Sequence, residues 1–234
     1  MDTEEAAVEE LLKLKLIVIG NQGTGKSCIL NRFINGTFDE NYQATIGLDF
    51  QSKNVTVHDQ DVRLILYDTA GQEKFRSLIP MYIREAQIIL LIYDISNKDS
   101  FDSIPKWIKE ISEINFSDVI FVLIGNKNDL EEQRKVSFEE GKQFADKNKF
   151  IFQEVSAKTG KNIENLFEVQ IYGAIYNKFK AEFDKREGAS GANGYKENYE
   201  NSNEVVNKDD TSNNKVILKP EADEPNQKKK KKCC

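Results

Sequence analysis

Histidine appears once and cysteine three times in 234 residues, and each shortage narrows the chemistry open to the chain. The one histidine, His58, falls at the turn of an expected hairpin, where its role is structural and not catalytic. Of the cysteines, Cys28 lies on an expected helix while Cys233 and Cys234 come last, so no disulfide can staple the domain. That pattern belongs to a reducing compartment. A basic excess is also lacking: 33 Lys and Arg stand against 39 Asp and Glu, a net charge of −6, with the acids spread out apart from Asp2 to Glu10. No nucleic-acid partner is expected from such a balance, the one basic feature being a late lysine run. Long apolar runs are missing too. No stretch approaches the ~20 apolar residues that span a bilayer, and the first ten residues lack the basic and apolar regions of a secretory leader. Any membrane attachment has to be added after synthesis.

What is present is a phosphate-binding signature in the right setting. Residues 20–27 read Gly-Asn-Gln-Gly-Thr-Gly-Lys-Ser, a match to G-x-x-x-x-G-K-[ST]. The apolar run Leu14 to Ile19 precedes it, and Ile29, Leu30, Phe33 and Ile34 follow at helical spacing, so a strand hands over to a helix through a glycine-rich loop. Gly20, Gly23 and Gly25 allow backbone shapes that turn successive N–H groups inward, and the helix adds its positive end. Gly23, Thr24, Gly25, Lys26, Ser27 and Cys28 are therefore the expected phosphate-binding stretch. Lys26 would reach the outer phosphates and Ser27 would offer a hydroxyl to Mg²⁺. By itself the loop says only "nucleoside triphosphate".

Apolar runs alternate with helical patterns over the first 180 residues. Strands are expected at Leu14 to Ile19, Asn54 to His58, Val62 to Tyr67, Ile88 to Asp94, Val119 to Gly125 and Ile151 to Val155. Helices are expected at Cys28 to Ile34, Ser77 to Ala86, Phe101 to Ile114, Phe138 to Asn148 and Ile163 to Lys180. The second and third strands are joined by Asp59-Gln60-Asp61, too short for a crossover, and should form an antiparallel hairpin. The expected fold is α/β: six strands, mostly parallel, with one antiparallel edge strand and five helices covering both faces. Residues 1–12 read as an acidic extension, 13–180 as the domain, 181–227 as a disordered tail and 228–234 as an anchor.

In open α/β sheets ligands bind outside the carboxyl ends of the strands. Asp68-Thr69-Ala70-Gly71-Gln72 follows the third strand, Asn126-Lys127-Asn128-Asp129 the fifth and Ser156-Ala157-Lys158 the sixth, so all share the edge of the phosphate loop. Each motif alone is weak, but together they are specific. Asp129 names the base: a carboxylate accepts from the N1–H and exocyclic amine of guanine, whereas adenine offers it a lone pair. Asn126 would tie the base-binding loops together, the stems of Lys127 and Lys158 would flank the base plane, and the Ala157 N–H would reach guanine O6. Asp68 would meet Mg²⁺ through water, the Gly71 N–H would contact the γ-phosphate, and Gln72 would orient the attacking water. Thr45, in a polar loop after the first helix, is the natural second Mg²⁺ ligand and depends on the γ-phosphate, so its loop should let go after hydrolysis. Residues 38–45 contain no arginine, so slow turnover and dependence on an activating protein are expected. Phe38 either stacks near the base or caps the first helix.

With these residues in place, the chain resembles a small GTPase of the Ras superfamily, in its Rab branch, over roughly Lys13 to Lys180 plus the lysines and cysteines of the tail. The segments that carry the likeness are Ile46-Gly47-Leu48-Asp49-Phe50, Leu66-Tyr67-Asp68-Thr69-Ala70-Gly71-Gln72-Glu73 and Leu91-Ile92-Tyr93-Asp94-Ile95. The resemblance implies a P-loop GTPase G domain that binds GTP and GDP with Mg²⁺. It carries Phe38 to the guanine-stacking position and Asp39, Asn41 and Tyr42 to the ribose and phosphates. It makes Ile46, Gly47, Phe50, Tyr67 and Tyr82 the effector surface, with Tyr67 standing where Rabs usually have Trp. Within the branch, Gln43 to Gly47, Phe75 to Pro80, Tyr82 to Arg84 and Gln22 are most similar to the Golgi-associated subgroup numbered six. A side chain at Gln22 crowds the space Gln72 needs, which again points to slow hydrolysis.

Lys228 to Lys232 followed by Cys233 and Cys234 reads as a two-signal membrane anchor without a C-a-a-X box. The resemblance implies geranylgeranyl groups on both cysteines, attached by the Rab-specific transferase on an escort protein. It also implies a GDP-dissociation inhibitor, an exchange factor, an activating protein and effectors as partners, a monomeric chain, and a place on the cytosolic face of a Golgi membrane. A P-loop kinase or ATPase is disfavoured because no acceptor site or arginine-rich lid is visible. The better rival is a GTP-binding scaffold with negligible hydrolysis.

Overall fold

The computed structural model describes residues 11–40, 45, 47–69, 79–114 and 119–189. Six strands form one sheet: β1 Leu12–Ile19, β2 Leu48–Val57, β3 Gln60–Thr69, β4 Ile88–Asp94, β5 Ile120–Asn126 and β6 Ile151–Glu154, in the order β2-β3-β1-β4-β5-β6. β2 runs antiparallel to β3 at the edge, and every other pairing is parallel. All seven residues of β4 are buried, as a central strand covered on both faces requires. Alternation along the strands splits the interior into two cores. Leu14, Leu16 and Val18 face one with Ile29, Phe33, Phe167 and Ile171, while Ile17 and Ile19 face the other with Ile104, Trp107, Ile111 and Ala145.

The helices are α1 Lys26–Asn35, α2 Ile79–Ile83, α3 Lys98–Asp102, α4 Ile104–Ser112, α5 Phe138–Asn148 and α6 Tyr172–Ala189. Four expectations are corrected in detail. The segment expected as one helix from Phe101 to Ile114 starts earlier, on an Asn97 side chain that accepts from the Asp99 N–H, and breaks at Ser103. Pro105 is the cause, because it has no N–H to give to the preceding turn and is tolerated only where a helix begins anew. The hairpin turn is the two residues His58 and Asp59, both at positive φ, with Gln60 already paired to Val57. His58 stacks on Tyr176 at 3.9 Å, the structural role expected of it.

The third correction concerns the boundary at Lys180: α6 continues to Ala189, so residues 181–189 are helical and not part of the tail. Ile175, Phe179 and Phe183 keep an i, i+4 spacing, Phe183 is buried, and its ring stacks with Tyr176. Fourth, α6 is entered through a π-helical stretch, Asn165–Ile171, where a regular helix was expected. Gln170 sits in that stretch and donates from Nε2 to Gln153 Oε1 on β6 at 2.5 Å. The part of the second expected helix before Ile79 lies outside the described residues.

Candidate functional site

A cavity of about 460 Å³ opens at the carboxyl edge of the sheet, between the loop after β1 and the loops after β5 and β6. The fold places the loop by close backbone packing at its two ends. At Gly20, φ is +153° and a Cβ would lie 2.2 Å from the Ile92 carbonyl oxygen of β4; at Gly25, φ is +88° and a Cβ would lie 2.3 Å from Asn126 Nδ2. Neither position can carry a side chain without displacing a neighbour. Between them Gln22 and Gly23 line the cavity, and α1 begins at Lys26, also in its lining, so the helix's positive end lies there. Lys26 is buried and its Nζ donates to the Asn21 carbonyl at 3.0 Å. Desolvation pulls its amine down to about 8, partly offset by the charge of Asp68.

The lining also includes Asn126, Lys127, Asp129, Ala157 and Lys158 from the loops after β5 and β6, and Phe38, Asp39 and Glu40 from the segment after α1. Asn126 joins the walls, as expected: Nδ2 donates to the Thr24 carbonyl at 2.8 Å, and Oδ1 accepts from the Ala157 N–H at 3.1 Å. The second bond ties the Ala157 backbone, which lines the cavity, to the loop after β5. Ser156, fully buried, lies behind Asp129 and donates from Oγ to its Oδ1 at 2.5 Å, so it orients the carboxylate and does not line the cavity. Thr24 is similarly turned away, with Oγ1 on the Asn21 carbonyl at 3.0 Å. Lys127, at φ +66°, pairs with Asp94 at 2.7 Å.

Three oxygen-bearing side chains meet at the phosphate-loop end. Ser27 Oγ donates to Asp68 Oδ2, Thr45 Oγ1 lies 2.7 Å from Ser27 Oγ and 3.2 Å from Asp68 Oδ2. Burial pushes the Asp68 carboxyl above its usual range, against the opposing pull of Ser27, Lys26 and Thr45. Its other oxygen, Oδ1, is buried without a hydrogen-bond partner among the described residues. An orphaned, desolvated carboxylate oxygen in a set of hydroxyls is a group in need of a cation or a water.

The model of the Ras family matches residues 15–176. The chain belongs to the Ras family. Members of this family are guanine-nucleotide switches that bind GTP and GDP with Mg²⁺, hydrolyse GTP, and answer to exchange factors, activating proteins and effectors. The residues present fit the metal. An all-oxygen donor set suits a hard cation, and with a single carboxylate the site would leave coordination positions to phosphate and water, as Mg²⁺ prefers.

Of the remaining expected residues, Phe50 and Tyr67 are cross-strand partners in the β2–β3 ladder, and the Tyr67 and Tyr82 rings lie 5.3 Å apart, so these three form one surface with Phe50 68 % exposed. Gly47 is at φ +82°. Asn41, Tyr42, Ile46, Gly71, Gln72, Cys233 and Cys234 lie outside the described residues. Cys28 lines the cavity as a half-buried free thiol, pushed up chiefly by burial.

Sequence reasoning missed Arg32. From α1 it donates to the Ala157 carbonyl at 2.9 Å, the Lys158 carbonyl at 2.6 Å and the Gly36 carbonyl at 2.6 Å, holding the loop after β6 in place. Its i+6 spacing from Lys26 would have put it on a different helix face from the cavity, and nothing in the sequence names its partners. Replacement by Ala should weaken GDP binding about tenfold by freeing that loop. Lys should rescue little, because a point charge cannot span three carbonyls. Equilibrium titration with a fluorescent GDP analogue checks both; an unchanged Kd for Arg32→Ala refutes the role.

Proposed function

We propose that this protein is a membrane-anchored member of the Rab branch that cycles between GTP and GDP forms and regulates vesicular, Golgi-linked traffic by recruiting effectors. The observation that carries the nucleotide part is the single cavity edge shared by the phosphate loop, the Asn126 to Asp129 segment, the Ser156 to Lys158 loop and the Ser27, Thr45 and Asp68 oxygens. In this reading the N–H groups from Gly23 to Cys28 and the Lys26 amine hold the phosphates, and Asp39, Asn41 and Tyr42 border the ribose and phosphates. Phe38 stacks on the base, Asp129 reads it, and Ser156 and Asn126 fix the readers. Mg²⁺, when bound, neutralises phosphate charge next to Ser27, Thr45 and Asp68.

Gln72 orients the attacking water and Gly71 contacts the γ-phosphate. With no arginine in residues 38–45, turnover is slow until an activating protein supplies one. Ile46, Gly47, Phe50, Tyr67 and Tyr82 greet effectors in the GTP form. Among the described residues no helix is long and apolar enough to cross a membrane. Geranylgeranyl groups on Cys233 and Cys234, presented by an escort protein and extracted by a GDP-dissociation inhibitor, provide the attachment, and the lysine run favours an anionic leaflet.

Two measurements on the full chain test this. Single-turnover GTP hydrolysis should proceed on the order of 10⁻⁴ s⁻¹ and rise by orders of magnitude with an activating domain of the Rab type; no hydrolysis under either condition would favour the scaffold. In cells, an N-terminally tagged chain with a free tail should mark peri-Golgi membranes and disperse when Cys233 and Cys234 are both Ser. Endosomal or plasma-membrane signal would overturn the Golgi assignment.

A further inference from the structure

Asn21, an unspecified position in the phosphate-loop motif, is the one loop residue whose side chain bonds directly to the α3–α4 junction among the described hydrogen bonds. Its Nδ2 donates to Ser103 Oγ at 2.9 Å, and its Oδ1 accepts from the Trp107 indole Nε1 at 3.0 Å. The orientation of the amide is unambiguous, because an indole N–H only donates and must face the oxygen. Ser103 uses its own proton on the Asp99 carbonyl at 2.7 Å, so it meets Asn21 as an acceptor. Donor and acceptor demands are both met by one short side chain. The same residue's carbonyl receives Lys26 Nζ at 3.0 Å and Thr24 Oγ1 at 3.0 Å.

We propose that Asn21 is a positioning residue for the bound nucleotide, clamped by Trp107 and Ser103 so that its carbonyl holds the Lys26 amine where the phosphates need it. The clamp rests on the nucleotide reading above and adds to it a mechanical link between the loop and α4. Ser103 and Trp107 stand four residues apart at the α3–α4 junction, with the Trp107 backbone N–H bonded to the Ser103 carbonyl at 3.1 Å, so both side chains meet Asn21 from one helix face. Asparagine suits the position because Ala reaches neither partner, Leu of similar shape bonds to neither, and Asp keeps the indole bond while losing the donor to Ser103.

Loss of the clamp takes from the buried indole N–H its Asn21 acceptor and leaves the loop carbonyl positioned by Lys26 and Thr24 alone. The test measures dissociation of a fluorescent GDP analogue from the Mg²⁺-loaded full chain. Asn21→Ala and Trp107→Phe, which keeps the ring and removes the N–H, should each speed release about tenfold. The double variant should release no faster than the worse single one, since both delete the same bond. Asn21→Asp should recover most of the loss. Thermal unfolding of each variant is read alongside, and release should quicken even where the melting temperature of Trp107→Phe stays within a few degrees of the parent.

Parental release rates in folded variants, or effects that multiply in the double variant, would overturn the clamp while leaving the nucleotide site intact. A parent chain that does not bind GDP would overturn the site reading and the clamp with it. Should Asn21→Ala fail to fold, Trp107→Phe and Ser103→Ala carry the same comparison.

Discussion

Replacing Asp129 with Asn is expected to reduce affinity for GDP and GTP by roughly 10⁴-fold while leaving the folded chain intact. The carboxylate is exposed at the cavity wall and carries no part of the core, so the fold does not depend on it. Bound guanine would take it out of water, and there its two oxygens have to be matched by two donors. N1–H and the exocyclic amine supply them. An asparagine presents one oxygen and one NH₂, so one donor of the base would face another donor, and a desolvated mismatch of that kind is what makes hydrogen-bonded sites selective. Xanthine nucleotides carry a carbonyl where guanine has the amine, so the variant should bind them better than the parent does. Ser156 sharpens the case: its hydroxyl donates to Asp129 Oδ1 at 2.5 Å from a fully buried position, so Ser156→Ala should weaken guanine binding by less, through a loosened carboxylate. Equilibrium titration with GDP and XDP checks all three. Asp129→Asn binding GDP with parental affinity would remove guanine reading from this residue.

Much of this site was legible because its chemistry is written in contiguous motifs at strand ends. The phosphate loop, Asn126 to Asp129 and Ser156 to Lys158 each announce a loop after an apolar run, and the order of strands then brings the loops together. What stayed hidden are contacts made across the fold by ordinary residues. Arg32 and Asn21 bond to partners more than 80 positions away, and no local pattern ties an arginine on α1 to the carbonyls of residues 157 and 158. Fold details failed for related reasons. The break at Ser103 follows from Pro105, a signal present in the sequence but outweighed by a long amphipathic pattern. The extension of α6 to Ala189 rests on Phe183 packing back onto Tyr176, a tertiary contact that overrides the polar composition around it. The π-helical entry to α6 has no compositional mark at all.

Replacing Lys26 with Met is expected to act in opposite directions on binding and on stability. Binding should fall about 10²- to 10⁴-fold, since the charge-assisted hydrogen bonding that the amine would offer to phosphate is lost. Stability of the nucleotide-free protein should rise. With its side chain 5 % exposed, Lys26 holds an ammonium in a desolvated position that lowers its proton affinity from 10.5 in the unfolded reference to about 8. Below pH 8 both states are protonated and the folded one carries the whole penalty, about 3 kcal/mol. Between pH 8 and 10.5 the unfolded chain holds more protons than the folded one, so the stability of the empty protein rises with pH over that window and the penalty fades. Methionine has no charge to desolvate, and the Asn21 carbonyl it abandons keeps the Thr24 hydroxyl as donor. The melting temperature of the stripped variant at pH 7 should therefore exceed that of the stripped parent by several degrees, and the gap should close as pH climbs from 8 toward 10. With GDP and Mg²⁺ added the order should reverse, because only the parent gains from the ligand. A stripped variant that melts below its parent at pH 7 would show that Lys26 is not a strained group awaiting its anion, and the tension between an unstable empty site and a tightly held nucleotide would have to reside elsewhere in the loop.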